Sequence, residues 1–338
     1  MDVEISFCVV NTAGRDLLMR CLDAVAAERA TLGVATEVLV VDNASEDGSA
    51  EAVRARGEDI ELIALAQRRG KALNDSDLME RSRGRFCLLL NEDSELRPGA
   101  VAALHTALAL DPRGACAVAA LLRPDGSSQA SAWRFPGLGA AATGAIGLAR
   151  RNVQSTGAVV RRVDWGQSCA LMVRREAAEA VGFMDTSYFV YGEEVDFQRR
   201  LRDAGWHTLF VPDAVAIHHE QLSTGALPLR RIVENARGRD RYVSTHEGHV
   251  AAAVVRLLVA WTYACRAVAA FVLPGHDPRR YLAHAGAALH PARGDGLREA
   301  AAAFNASRSG APAPGTPDPV GEGAGAGELG AVEEADGA

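Results

Sequence analysis

From Glu4 to Leu96 a short apolar run, a polar loop and a helical stretch follow one another four times, and this alternation limits the fold more than any other feature. Residues 4–10 (Glu-Ile-Ser-Phe-Cys-Val-Val), 36–41, 60–66 and 86–90 read as strands. Between them Leu17, Leu18, Cys21, Leu22 and Val25 recur at helical spacing. Two further helices are expected at 50–56 and 75–83. Strands alternating with helices fold into a parallel sheet with helices on both faces. Ligands in such sheets bind beyond the carboxyl ends of the strands. The loops so marked are Asn11–Asp16, Asp42–Ser49, Gln67–Asn74 and Asn91–Glu95.

Past Leu96 the pattern is less regular. A helix is expected at 98–110, an apolar run at 115–122, a turn at 124–127, a strand-like stretch at 163–173 and a short helix at 175–181. Residues 133–160, rich in Gly, Ala and Arg, read as a mobile segment. Residues 183–220 hold the densest set of reactive side chains, and 230–246 and 250–273 read as helices. From about Ala306 the chain is Gly, Ala, Pro and Glu without periodicity, the composition of a disordered tail. The division that follows is a catalytic domain at 1–228, a helical extension at 229–305 and a tail at 306–338.

Charge narrows the function. The 36 basic and 43 acidic side chains leave a net charge of −7, which argues against non-specific nucleic-acid binding. The cysteines form no C-x-x-C pair, and Cys8 and Cys87 fall inside apolar runs, so reduced thiols in a cytoplasmic protein are expected. The acidic N-terminus enters a strand at once, which reads as no signal peptide. Apolar stretches are interrupted before the length of a clear transmembrane helix. Walker-type, G-x-S-x-G and H-E-x-x-H motifs are absent, and Gly137-Leu138-Gly139 follows no strand, so it is no dinucleotide fingerprint.

Chemistry concentrates at the strand ends. Asn91-Glu92-Asp93-Ser94-Glu95 is either a solvated acidic turn or a cation site, since magnesium and manganese favour one or two carboxylates plus phosphate oxygens. Glu193, Glu194 and Asp196 crowd the start of an expected helix, where the helix dipole favours acids and where a carboxylate can also serve as general base. A strand ending in His218-His219 offers an imidazole ligand or a base. Asp42 can accept from a base N–H or a ribose hydroxyl, while Ser45 or Asp47 caps the next helix. Gln67-Arg68-Arg69-Gly70-Lys71 is an ordinary cationic loop or a diphosphate clamp.

In this order the residues resemble the family 2 glycosyltransferases, in particular their bacterial rhamnosyltransferase-like branch. The likeness covers about residues 4–224 and weakens toward His246. It is strongest from Asp164-Trp165-Gly166 to His219, through Arg174-Arg175-Glu176, Val181-Gly182-Phe183-Met184-Asp185, Phe189-Val190-Tyr191-Gly192-Glu193-Glu194-Val195-Asp196, Arg200-Leu201 with Ala204-Gly205-Trp206, and Val211-Pro212 with Ala214-Val215. Val41-Asp42-Asn43-Ala44-Ser45 is a shorter match. The resemblance implies a glycosyltransferase A fold, a Rossmann-like mixed α/β sheet flanked by helices. It implies transfer of a sugar from a nucleotide diphosphate donor to a glycan, lipid-linked or small-molecule hydroxyl acceptor, with inversion and with Mg2+ or Mn2+. Asp93 and His218 then hold the metal, with Ser223 at the family's spacing after His218. Glu194, beside Glu193, is the base. Asp42, Asn43, Arg68, Lys71, Asn91 and Glu92 face the donor.

Three departures stand out. Glu193-Glu194 replaces the family's usual Glu-Asp, so the base is one methylene longer; the exchange also fits a sugar-nucleotide-binding protein of this fold that is catalytically impaired. Asn11-Thr12 stands where a Tyr-Asn pair is usual. Arg68-Arg69-Gly70-Lys71-Ala72-Leu73-Asn74 replaces Asn-x-Gly-Phe-Ala. A sugar nucleotidyltransferase, the remaining rival, lacks its glycine-rich N-terminal signature here. The run 250–273, with only Arg256 and Arg266 charged, is expected to lie on the catalytic domain, on a second subunit or on the cytoplasmic leaflet.

Overall fold

The computed structural model describes residues 2–57, 59–220, 228–272 and 276–309. In chain order the first half comprises β1 (Ile5–Asn11), α1 (Arg15–Arg29), β2 (Thr36–Asp42), α2 (Ser49–Ala55), β3 (Glu61–Ala64), α3 (Lys71–Arg81), β4 (Phe86–Asn91), β5 (Ser94–Leu96), α4 (Ala100–Leu110) and β6 (Gly114–Leu122). Then follow β7 (Ser128–Gln129), β8 (Ala132–Trp133), α5 (Leu138–Ala145), β9 (Arg161–Val163), β10 (Trp165–Gly166), β11 (Ala170–Arg174), α6 (Arg175–Ala180), α7 (Glu193–Asp203) and β12 (His207–His218). Helices α8 (Pro228–His246), α9 (His249–Ala270), α10 (Pro278–Leu289) and α11 (Leu297–Ser309) complete the described chain.

The main sheet runs β3-β2-β1-β4-β11-β6-β12-β5, with β7 beside β6 and β9 beside β12. Strands β1 to β4 are parallel, β11 is antiparallel to β4 and β6, and β12 is parallel to β6. The carboxyl ends of β1, β2, β4, β6 and β12 therefore share one edge of the sheet. This is the expected mixed α/β fold.

Side-chain alternation explains why both faces are covered. Ile5, Phe7 and Val9 pack with Phe86, Leu88 and Leu90 on the face carrying Leu18, Leu22 and Leu104. Cys8, Val10, Cys87 and Leu89 pack on the other face with Leu78, Met79 and Phe197. A strand buried on both faces reads as a continuous apolar run, as these do. Each such Leu or Phe contributes roughly 1.5–3 kcal/mol on burial. A third cluster of Val195, Tyr242, Val243, Ala252 and Val255 fastens α8 and α9 to α7.

Several expectations need correction. Helix α3 starts at Lys71, four residues before the expected start, because Gly70 stands in extended backbone directly before it. The 133–160 segment holds β8, α5 and a 3-10 turn at Ala149–Asn152, tied down by tertiary contacts such as the stacking of Trp133 on Trp165 at 4.8 Å. The 163–173 stretch divides into the end of β9, β10 and most of β11. Helix α11 continues to Ser309, past the expected start of the tail, whose remainder lies outside the described residues, as do Ser223 and Leu273, the expected end of the 250–273 helix. By length and composition α9 is long enough to cross a membrane, despite its two arginines.

Candidate active site

Strand register assembles the site before any side chain is considered. Asn11 lies opposite Asp42 in the β1–β2 pair, and Val10 opposite Asn91 in the β1–β4 pair. His218 lies opposite Ser94 in the antiparallel β5–β12 pair. Three loops from the first half and the end of β12 thus meet on one edge.

The loops after β1, β2 and β3 are locked together. Asp42 is 2% exposed; its Oδ1 accepts from Asn11 Nδ2 at 2.8 Å and its Oδ2 from the Ser45 amide at 3.1 Å. Asn43 accepts from the Arg69 amide at 2.8 Å and donates to the Arg69 carbonyl at 3.0 Å and to Thr12 Oγ1 at 3.2 Å. Its amide thereby clamps the loop after β3 to the loop after β2. Gly70 is sterically required: a Cβ there would lie 2.6 Å from the Phe189 carbonyl oxygen and 3.0 Å from Phe189 Cα. The same carbonyl accepts from the Lys71 amide at 2.7 Å, joining this loop to the aromatic loop before α7.

The acidic turn meets the histidines. Asn91 ends β4, Glu92 is buried, and Asp93 is 5% exposed with Oδ1 lacking a hydrogen-bond partner. His218 Nε2 stands 3.4 Å from that oxygen. On its other side His218 Nδ1 meets the Gln129 side chain at 3.0 Å, which sets the ring plane. A Gln129 amide donor facing Nδ1 leaves the proton on Nε2, and the flipped amide puts it on Nδ1 and frees Nε2 as a ligand. His219 instead pairs with Glu95 at 2.7 Å.

The two glutamates at the start of α7 differ in access. Glu193 is 1% exposed and its Oε2 has no hydrogen-bond partner, whereas Glu194 is half-buried. Burial pushes both carboxyls above the usual range, Glu193 further because the Glu194 charge adds to it. On Glu194 the Glu193 side chain works against burial, favouring the charged form. Asp196 is engaged elsewhere: it holds Arg200 at 2.7 Å and His246 at 2.8 Å, binding α7 to α8. Lys71 Nζ lies 2.8 Å from Asp75 Oδ2; burial lowers its pKa, but Asp75 and then Glu193 and Glu194 raise it more, so it is a firm cation. Lys71 thus feels the charges of both glutamates. Buried Cys169, just before β11, feels the charges of Asp93, Lys71 and Glu194. Its thiol is pushed up, first by burial and then by Asp93, which makes it inert.

Arg68 lies at the far end of the same edge. Its guanidinium stacks 3.6 Å over the Phe304 ring of α11 and feels Glu46 and Asp42. Sequence reasoning missed Gln129, Asp75, Phe304 and Asn305. Asp75 was findable as the i+4 partner of Lys71 on one helix. The other three act across distant parts of the chain, where no local spacing points to them.

Known proteins resemble this chain in sequence and in fold. Residues 6–165 match the family described as Glycosyl transferase family 2. The chain is 32% identical over 245 residues to N-acetylglucosaminyl-diphospho-decaprenol L-rhamnosyltransferase of Mycobacterium tuberculosis, in each of two strains, over 65% of this chain and 79% of the relative. Among solved structures it resembles the mannosyltransferase PcManGT from Pyrobaculum calidifontis in complex with GDP-Man and Mn2+, with TM-score 0.55, 19% identity, 91% of this chain and 85% of that one. It also resembles GalNAc-T7 with UDP, GalNAc and Mn2+, with TM-score 0.52, 15% identity, 85% of this chain and 54% of that one. Both likenesses concern the fold, which is of the glycosyltransferase A type. With its loops, acidic turn and late histidine gathered on one sheet edge, the chain is a glycosyltransferase and belongs to glycosyl transferase family 2.

Proposed function

We propose that this glycosyltransferase moves a hexose of the L-rhamnose type from a nucleoside diphosphate to a hydroxyl of a lipid-linked glycan, with inversion and with a divalent cation. The observation that carries the reading is the meeting of Asp93 and His218, with an unpartnered carboxylate oxygen; the half-buried Glu194 is the candidate base. The activity named for the mycobacterial relatives supports the choice of sugar and of acceptor class.

The residues fit a cation. Among the described residues no three His, Cys, Asp or Glu side chains gather closely enough to enclose one. Asp93 and His218 would therefore supply two ligands and leave the rest to diphosphate oxygens and water, as Mg2+ and Mn2+ prefer. The imidazole favours Mn2+ over Mg2+. When bound, the ion neutralises charge that develops on the departing nucleoside diphosphate. Asp42 retains lone pairs for a base N–H or ribose hydroxyl, Asn43 fixes the loop that carries Arg68 and Lys71, and Asn91 and Glu92 flank the diphosphate. Glu194 takes the proton of the acceptor hydroxyl as that oxygen attacks the anomeric carbon. Burial pushes the Glu194 carboxyl up, and Glu193 and Lys71 oppose that by favouring its ionised form.

Helix α9 suits contact with an anionic membrane at the cytoplasmic face. Val250 (81% exposed), Leu257 (63%), Trp261 (60%) and Val268 (70%) form one outward stripe. Exposed Arg150, Arg151, Arg266, Arg279 and Arg280 lie on or beside α5, α9 and α10, which pack together. Such a basic, apolar face in a chain of net charge −7 matches an anionic lipid surface.

The test is incubation with Mn2+, UDP-, GDP- and dTDP-linked sugars including L-rhamnose, and polyprenyl-diphosphate N-acetylglucosamine, with the product anomer read by NMR. Inverted product that disappears with EDTA is expected. A retained anomer refutes the single displacement. Binding of a sugar nucleotide without transfer or hydrolysis favours the second reading, a catalytically impaired binding protein, which the Glu193-Glu194 pair motivates.

A further inference from the structure

Helix α11 bridges two parts of the molecule. Its start is fastened to α8: Arg237 Nη1 donates to Glu299 Oε2 at 2.8 Å, and the Arg298 amide to Glu234 Oε2 at 3.4 Å. Its end reaches the donor-side loops. The Arg68 amide donates to Asn305 Oδ1 at 2.8 Å, and Asn305 Nδ2 donates to the Arg68 carbonyl at 3.0 Å. This two-bond amide pair imitates a rung of sheet, and it fixes the backbone of Arg68 from a helix more than two hundred residues further along the chain. Arg308 Nη1 meets Glu46 Oε1 at 2.6 Å, so α11 touches the loop after β2 as well.

Phe304 lies 3.6 Å beneath the Arg68 guanidinium. Burial weakens the charge of Arg68 first, Glu46 then attracts it, Arg308 repels it, and Asp42 attracts it less. Its Nε is buried and has no hydrogen-bond partner. A planar cation stacked on an aromatic ring keeps its in-plane N–H groups free to donate. Here one of them lacks a partner, in a loop that Asn43 ties to the loop carrying Asp42.

We propose that α11 completes the donor site, with Phe304 and Asn305 positioning Arg68 against the base-and-ribose end of a nucleoside diphosphate. This rests on the reading of the chain as a nucleotide-sugar transferase. The helical extension, and not the sheet alone, then decides how tightly a given nucleotide is held. Phe304 and Asn305 are positioning residues acting through Arg68.

The experiment is calorimetric titration of the full chain, of Phe304→Ala and of Asn305→Ala with UDP, dTDP, GDP and inorganic pyrophosphate, each with Mn2+. Both variants are expected to weaken the best-bound nucleoside diphosphate by about tenfold, the scale of a lost desolvated cation–π or hydrogen-bond contact. Pyrophosphate affinity is expected to stay within about twofold, because that contact lies at the nucleoside end. Unchanged nucleotide affinity overturns the proposal, and so does equal weakening of nucleotide and pyrophosphate, which marks a structural strap. Hydrogen exchange on the unsubstituted chain gives a readout that needs no variant. Adding the same nucleotide with Mn2+ should protect amides at 67–71 and at 304–308 together, and protection confined to the first stretch overturns the proposal. If the unsubstituted chain binds pyrophosphate but none of the three nucleotides, the transferase reading itself has failed, and this proposal with it.

Discussion

His218 Nε2 stands 3.4 Å from Asp93 Oδ1, and the pairing of β12 with β5, which sets His218 opposite Ser94, is what brings them together. Neither side chain has a closer ion-pair partner among the described residues. Asp93→Asn is therefore expected to remove Mn2+-dependent turnover by at least about a hundredfold. Stability should change by no more than about 1 kcal/mol, because the unpartnered oxygen contributes little to the fold without the ion. Rates across a Mn2+ titration, with urea unfolding alongside, check both halves. Near-normal turnover with unchanged Mn2+ dependence rules out Asp93 as a ligand.

Glu194→Gln should lower kcat by about 10²–10⁴-fold while nucleotide binding persists. Glu193→Gln should cost far less, since an amide still donates toward Glu194. The base acts deprotonated and its carboxyl is pushed up, first by burial, so the acid limb of the rate profile should lie above the usual carboxylate range. The reverse ranking of the two variants would reassign the base.

The same pair affects stability with the opposite sense of pH. A carboxyl raised in the folded state keeps its proton where the unfolded chain has lost it. The folded chain then binds more protons, so stability falls as pH rises from the ordinary carboxylate range through the raised value of Glu193. Glu193→Gln should flatten that decline. Denaturant midpoints measured from pH 4 upward would show it, and parallel curves for the two proteins would count against it.

Gly70→Ala places a methyl carbon 2.6 Å from the Phe189 carbonyl oxygen, a backbone atom that cannot swing aside. The loop after β3 or the aromatic loop must move, at a cost of about 1–3 kcal/mol. Donor KM should rise more than acceptor KM. Equal effects on both would mean that the loop does not border the donor.

Paired substitution Leu257→Ser with Trp261→Ser removes two side chains from the outward stripe of α9, exposed at 63% and 60%. Folding should be preserved, since neither is in the core. Co-sedimentation with anionic vesicles should drop severalfold, and more so as salt screens the arginines. Undiminished sedimentation of the variant would assign α9 to another role.

The sequence by itself determined the class of fold and which acids and histidines fall at the ends of its runs. Apolar runs of strand length with helical spacing between them leave a doubly covered sheet as their solution, and the acids and histidines fall at run ends, where chain direction alone places them on the ligand edge. Arg174 marks where such reading stops. In sequence it is part of a family motif; in the fold it is 4% exposed and donates to the carbonyls of Leu108, Asp111 and Gly114, capping the end of α4. Tertiary structure likewise decided that Asp196 binds α7 to α8, that Gln129 orients His218, and that α11 returns to Arg68. The reason is physical. Periodicity records which face of an element is buried, a local property written into neighbouring residues. A hydrogen bond between distant segments depends on sheet order and register, and those are fixed only when the whole core closes.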